Sequence, residues 1–492
     1  MLRYRCVIGL GIVALALVGC SGGSAGSGGG SAAAGADGKP IDWAVADSET
    51  VRHFQAIMRM DTRDPGGGEK PAADYLASVL RSEGIEVQTF ALEPGRPNVV
   101  ARIRGNGSKR PILVMGHTDV VSVDTSKWLH APFAAVRDSG WIYGRGAVDD
   151  KDNVAASLMV MLLLKRQGVA LDRDVIFLAE SGEEGATHVG IQYMVEQHFP
   201  EIDAEYCLAE GGRVSRVGGA VTVSTVATTE KIPRAITLTA RGISGHGSVP
   251  LESNAVVQLS AAVARFASWH PPVRLNETTR EYFTRLARIS PPERARYYRD
   301  VVSGDPRRVA MADEHFFRNE PRHASMLRTS ISPTIVQGGY RVNVIPSEAT
   351  ATLDVRMLPD EDPTAFLEVI RRTVNNPAIE VAYGQRAVRP GTPAASLASE
   401  AFRAVEAATT SVYNTTTLPT MLTGATDMAY LRDKGMECYG IGPAVDEEDV
   451  PRGYGAHSDQ ERILEAELTR FARFQYEVVR ALAGARGPTE RP

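Results

Sequence analysis

Cysteine is scarce: four in 492 residues cannot form a disulfide scaffold. Charge of one sign is scarce too, with 54 Lys and Arg against 59 Asp and Glu giving a formal −5. No long run of either sign marks a nucleic-acid-binding face, so a nucleic-acid partner is excluded. No internal repeat is visible. What is present is ordinary globular usage, 43% hydrophobic and 23% charged, which excludes a disordered, collagenous or coiled-coil chain. The length exceeds one core and implies two or three folded units.

The longest apolar run, Val7 to Val18, is shorter than the roughly 20 residues needed to cross a bilayer. Arg3 and Arg5 precede it and small residues follow, the pattern of a signal peptide over residues 1–20. Leu17, Val18, Gly19 and Cys20 resemble a bacterial lipobox. That resemblance makes Cys20 the lipidated first residue of an exported envelope lipoprotein, touching the membrane through its lipid anchor only. Ser21 in place of aspartate implies the outer membrane if the source is Gram-negative; plain secretion with a chance cysteine is the competing reading. Residues 21–38 hold eight glycines, four serines, five alanines and one aspartate, a flexible tether with nothing to bury. Cys207 and Cys438 remain beyond it, both beside apolar residues, and are expected as two buried thiols.

Four short apolar runs end in polar or acidic residues: Ile112–Met115 before Gly116 and His117, Val175–Ala179 before Glu180, Tyr206–Ala209 before Glu210, and Cys438–Ile441 before Gly442. They read as a buried, mainly parallel sheet, and ligands of open α/β sheets gather at the carboxyl ends of strands. A helix is expected from Asn153 to Gln167, capped by Asp152 or Asn153 and stopped at Gly168, and another from Glu461 to Leu482. Between them the pattern changes to β(235–241), α(253–268), β(334–337), β(349–357), α(363–374), β(379–383), the order of a split ferredoxin-like unit. An Arg-, Glu- and Pro-rich stretch near 271–329 is too long for a connection and must be an insertion. The expected organisation is an α/β domain over 39–230 and 385–492, interrupted by a smaller α+β domain over 231–384.

Only ten histidines occur, and three stand at strand ends or turns near acids: His117, His246 and His457. His53, His130, His188, His198, His270, His315 and His323 have no carboxylate at ligand spacing and read as structural. His117 is followed two residues later by Asp119, which can reach the second ring nitrogen and fix the tautomer. The turn from Gly144 to Lys151 ends in Asp149 and Asp150, and Glu180, Glu183 and Glu184 crowd the end of the Val175–Ala179 run. Three carboxylates in five residues are costly to bury unless cations neutralise them. Two histidines and three carboxylates suffice for two borderline cations when one carboxylate bridges. One acid must stay outside the metal shell to take a proton from water, and Glu183 and Glu184 offer that division.

The motifs GHTDVV, YGRGAVDDK, AESGEEG, LAEGG, GISGHGSVP, RVNVIPSEATATLDVRMLP and GAHSDQERI, spread over residues 45–483, resemble metallopeptidase family 20. This family of dinuclear zinc enzymes includes aminoacylase, carboxypeptidase S, glutamate carboxypeptidase and succinyl-diaminopimelate desuccinylase. The resemblance implies an α/β zinc-peptidase domain with an inserted ferredoxin-like dimerisation or lid domain, and two Zn2+ per chain, with Co2+ or Mn2+ as substitutes. It implies His117 and Glu210 on one metal, Glu184 and His457 on the other, Asp149 as the bridge, Glu183 as general base and Asp119 as the acid steadying His117. His246 resembles the histidine that stabilises the oxyanion, often in the neighbouring subunit of a homodimer. Asn343 and Arg356 resemble the pair that holds a substrate carboxylate, a short peptide's or an N-acyl amino acid's.

Three features depart from the family pattern: Asp152 replaces a glycine and is expected to cap its helix, Ala209 replaces an acid, and the insertion resembles the long lids of the carboxypeptidase S branch. An inactive envelope binding protein and a hydrolase of ureido acids are the competing functions.

Overall fold

The computed structural model describes residues 39–66, 68–267, 269–384 and 388–485. The expected signal peptide (1–20) and tether (21–38) lie outside the described residues. No helix among the described residues is long and apolar enough to cross a membrane.

Seven strands of the first α/β segment are β1 (Glu86–Phe90), β2 (Asn98–Ile103), β3 (Ile112–His117), β4 (Val175–Glu180), β5 (Tyr206–Ala209), β6 (Arg213–Val217) and β7 (Ala220–Glu230). The smaller unit supplies β8 (Ile232–Arg241), β9 (Ser330–Gly338), β10 (Glu348–Met357) and β11 (Ile379–Tyr383), and the chain returns with β12 (Thr417–Leu422), β13 (Glu437–Gly440) and β14 (Ala444–Asp446). The large sheet runs β1-β2-β4-β3-β5-β13-β7-β6-β14, with β12 beside β7. Its centre, β4-β3-β5-β13, is parallel throughout. These are the four apolar runs, and every residue of β3, β4 and β5 is buried, which is why they lack the alternation of a one-sided strand.

Register decides where the chemistry collects. His117 pairs with Glu180 across β3 and β4, and Ala209, one residue before Glu210, pairs with Gly440. The polar residues that end these strands therefore line one carboxyl edge. Cys207 and Cys438 are register neighbours on β5 and β13 and are both free and buried, as expected.

Two helix starts differ from expectation. The buried helix spans Lys151–Gln167 and its N-cap is Asp150, whose side chain caps nothing because Oδ2 accepts the His117 backbone N–H at 3.2 Å. Asp152 is no cap either: it lies in the first turn, buried, with Oδ1 unpartnered. Every residue from Lys151 to Leu164 is buried, as a helix packed on both faces requires. Gly168 ends it at φ +63°. The last helix spans Glu465–Ala483, since Arg462–Leu464 instead pairs antiparallel with Trp141–Tyr143.

The smaller unit is an antiparallel sheet ordered β9-β10-β8-β11, carrying helices Ala255–Arg265 and Pro363–Val374 on a core of its own. This is the ferredoxin-like order, with an exposed outer strand, β9. The insertion is four helices, Glu277–Ile289, Pro292–Val301, Pro306–Asn319 and Pro321–Met326, around Phe283, Tyr298, Phe316 and Leu327. It leans on the α/β part: Arg285 donates to Glu406 and to the Thr417 carbonyl, and Thr278 shares a hydroxyl hydrogen bond with Thr228.

Candidate metal centre

His117 ends β3 fully buried, and its Nδ1 lies 3.0 Å from the Asp119 backbone carbonyl and 3.4 Å from that residue's carboxylate. An Nδ1–H donated there leaves Nε2 with its lone pair turned to Asp149 Oδ1, 3.1 Å away. Asp119 does more than steady the ring. Its Oδ1 and Oδ2 accept the backbone N–H groups of Glu183 and Glu184 at 3.1 and 3.0 Å, so one buried carboxylate fixes the histidine and the two-glutamate turn together.

Asp149 stands between the histidines. While Oδ1 faces His117, Oδ2 lies 3.0 Å from His457 Nε2, which is also 2.9 Å from Glu184 Oε1. The loop carrying Asp149 is held from below by Glu461, which accepts from Arg145 Nη1 at 2.6 Å and from the N–H groups of Gly146 and Val148 at 3.2 and 2.9 Å. Gly146 sits at φ +86°, where an added Cβ would meet Val120 Cγ1 at 2.9 Å, so only glycine fits the turn. Buried pairs like Arg145–Glu461 typically cost about 3–5 kcal/mol when one partner is removed. Two sets of potential ligand atoms fall within 4.8 Å of one another: His117, Asp149 and Glu184, and His117, Glu183 and Glu210. The structure thus joins His117, Asp149, Glu183, Glu184, Glu210 and His457, with Asp119 directly behind them.

The electrostatics favour added positive charge. Burial lifts the Glu183 carboxyl to about 8, with Asp427 adding to the rise and Arg389 opposing it. Burial and the nearby Glu183 and Asp150 hold Glu210 well above the usual range, and burial with Asp427 does the same to Glu180. The hydrogen bonds to Asp149 and Glu184 raise His457 to about 10. For His117, burial alone would lower the value, yet Asp119 and Asp149 outweigh it and hold the ring well above its ordinary value. Carboxylates that favour an imidazolium favour a metal cation for the same reason. Asp152 Oδ1, Glu180 Oε2 and Asp427 Oδ2 are buried without a partner, whereas the nearby Lys151 Nζ is spent on the carbonyls of Ile57 and Met60. Excess buried negative charge and a two-imidazole, multi-carboxylate donor set fit a pair of borderline divalent ions.

The residues expected from the smaller unit are not part of this cluster. His246 and Asn343 are exposed side by side, because Gly245–His246 pairs with Val344–Ile345 and the Asn343 carbonyl accepts the Gly247 N–H. Arg356 is half-buried on β10 and forks onto Asp354 at 2.8 and 3.1 Å. Sequence reasoning passed over Arg389, which donates to Glu183 Oε1 at 2.7 Å, and Asp427, which accepts from the same guanidinium at 2.6 Å. Arg389 lies in an aperiodic stretch and carries no sequence signal of its own, and Asp427 stands five residues past β12 as the N-cap of the helix Met428–Asp433, away from the strand ends that identified Glu180 and Glu210.

Residues 113–481 match the description of peptidase family M20/M25/M40. Probable carboxypeptidase S-like 2 of Dictyostelium discoideum is 26% identical over 389 residues, covering 76% of this chain and 72% of its own length. Aminoacylase-1 of Mus musculus is 25% identical over 404 residues, covering 81% and 88%. Among solved structures, an M20 family metallo-carboxypeptidase from Sulfolobus solfataricus superposes with a TM-score of 0.66 at 20% identity, covering 88% of this chain and 98% of its own. A dinuclear metal-binding M20 peptidase of Bacillus subtilis gives 0.56 at 15%, covering 88% and 98%. The large, mostly parallel sheet with a separate antiparallel one is the architecture these structures share. The family match spans well over half of the chain, which belongs to the M20/M25/M40 peptidases and is a metallohydrolase of the carboxypeptidase, aminoacylase and dipeptidase type.

Proposed function

We propose that this chain is a dinuclear zinc hydrolase that cleaves an amide or peptide bond beside a free carboxylate, in short peptides or N-acyl amino acids. The observation that carries this reading is the sharing of Asp149 between His117 and His457, one oxygen to each, with Glu184 and Glu210 on the two sides. His117 and Glu210 would hold one ion, Glu184 and His457 the other, and Asp149 both. When bound, such a pair activates a water and polarises the scissile carbonyl. Glu183 takes the attacking water's proton and passes it to the departing amine nitrogen. Arg356 and Asn343 receive the substrate carboxylate, for which a guanidinium offers two parallel donors. His246 donates to the oxygen that becomes negative as the carbonyl turns tetrahedral.

Purified protein, metal-stripped and then titrated with Zn2+, is expected to bind two ions per chain and to gain activity in step, assayed on dipeptides, N-acyl amino acids and ureido acids. At most one tightly bound ion after reconstitution would overturn the dinuclear reading. Turnover of ureido acids alone would overturn the substrate class.

The proposal includes a homodimer and a lipid anchor. Strand β9 is an exposed sheet edge, with Ile335 and Val336 50% and 61% exposed, and a second copy would cover it. For the anchor, the expected outcome is that wild-type chain partitions with membranes through acylated Cys20, whereas Cys20→Ser is released or misprocessed. Soluble, unlipidated wild-type chain in the cell envelope would defeat that assignment.

A further inference from the structure

Glu183 is held at both ends. Its backbone N–H is fixed by Asp119, and its Oε1 accepts from Arg389 Nη2 at 2.7 Å, while Oε2 makes no hydrogen bond among the described residues. Arg389 spends its other terminal nitrogen on Asp427 Oδ1 at 2.6 Å and lies against the Tyr430 ring, 5.8 Å from its centroid. Asp427 is itself anchored. It is 2% exposed, and the adjacent Thr426 is tied through its N–H and hydroxyl to Glu230 at 3.1 and 2.7 Å, which Arg432 holds at 2.9 Å. A frame built from the second half of the α/β domain and anchored on Glu230 of β7 thus reaches one carboxylate oxygen of Glu183.

We infer that Arg389 is the positioning residue of the general base: its guanidinium bridges Asp427 to Glu183 Oε1 and so keeps Oε2 free to face the reacting water. This rests on the reading of Glu183 as base. The fork geometry suits the task, because one planar group spans two carboxylates in fixed directions, which the single ammonium of lysine does not. Arg389 meets the cluster at Glu183 Oε1. Its effect passes through Glu183, and a misplacement of about 1 Å in a catalytic group can cost about 10²-fold in rate.

The test is a double-mutant cycle on the metal-loaded, full-length chain, with kcat, KM and bound zinc measured for each variant. Arg389→Met is expected to lower kcat by about 10–10²-fold with KM within about threefold and two ions retained. Arg389→Lys should fall between it and wild type, and added guanidinium ion should restore part of the turnover of Arg389→Ala. In the Glu183→Gln background, Arg389→Met should change the residual rate by less than about threefold, since the group it positions is already gone. A rise in KM at unchanged kcat would make Arg389 a substrate-binding residue and overturn the inference. Loss of zinc from both Arg389→Met and Arg389→Lys would make it structural, with the same result. An additive effect alongside a Glu183→Gln variant that has lost turnover sinks the inference alone, whereas full turnover of Glu183→Gln by itself removes the base assignment and the inference with it.

Discussion

Glu183→Gln is expected to keep both metal ions and to lose turnover by about 10²–10⁴-fold, the range for removal of a general base. Glutamine preserves the shape and can still meet Arg389 through its amide oxygen, but it cannot take a proton. The proposed metal ligands His117, Asp149, Glu184, Glu210 and His457 are untouched by the change, so zinc content separates a chemical defect from an assembly defect. The alternative base is Glu180, which is 1% exposed and in register with His117. Near-normal turnover in Glu183→Gln together with a collapse in Glu180→Gln would move the base there. The buried setting that lifts Glu183 to about 8 in the absence of cations is the same excess of negative charge that the ions offset.

Much of this site was legible because strand ends concentrate it. The buried runs ending at His117, Glu180 and Glu210 have no polar residues to blur their boundaries, so both the parallel centre of the sheet and the acids at its edge could be placed from composition and order alone. The ferredoxin-like unit was equally plain, since β8, β10 and the helix Pro363–Val374 carry strong alternation or amphipathic spacing. What stayed hidden depends on tertiary partners. Asp150 does not cap with its side chain because that side chain is taken by the His117 N–H, and Glu461 opens no helix because it is the counter-ion of Arg145. Arg389 is the same case: nothing in a loop sequence reveals that a guanidinium will meet a carboxylate 206 residues earlier.

An inactive His246→Ala chain mixed with an inactive Glu183→Gln chain is expected to regain activity. His246 lies on the smaller unit, exposed, and among the described residues its ring hydrogen-bonds to Ser248 through Nδ1 and to none of the candidate metal ligands. Around it are Ile243, Val249 and Val342, 68%, 59% and 104% exposed, an apolar surface a lone chain leaves in water. If a two-fold dimer carries His246 over the neighbouring site, each mixed dimer holds one site with both groups intact. Random exchange of the two chains then restores activity to about a quarter of the wild-type level, because about half of the dimers are mixed and one of their two sites is whole. Action of His246 on its own chain predicts no recovery at any mixing ratio, since every site would lack one of its groups. The zinc content of both variants should equal that of wild type, because neither residue is among the proposed metal ligands. A chain that sediments as a monomer at assay concentration and is fully active would sink the trans assignment, and it would leave the roles of Asp149 and Glu183 standing because those rest on contacts within one chain.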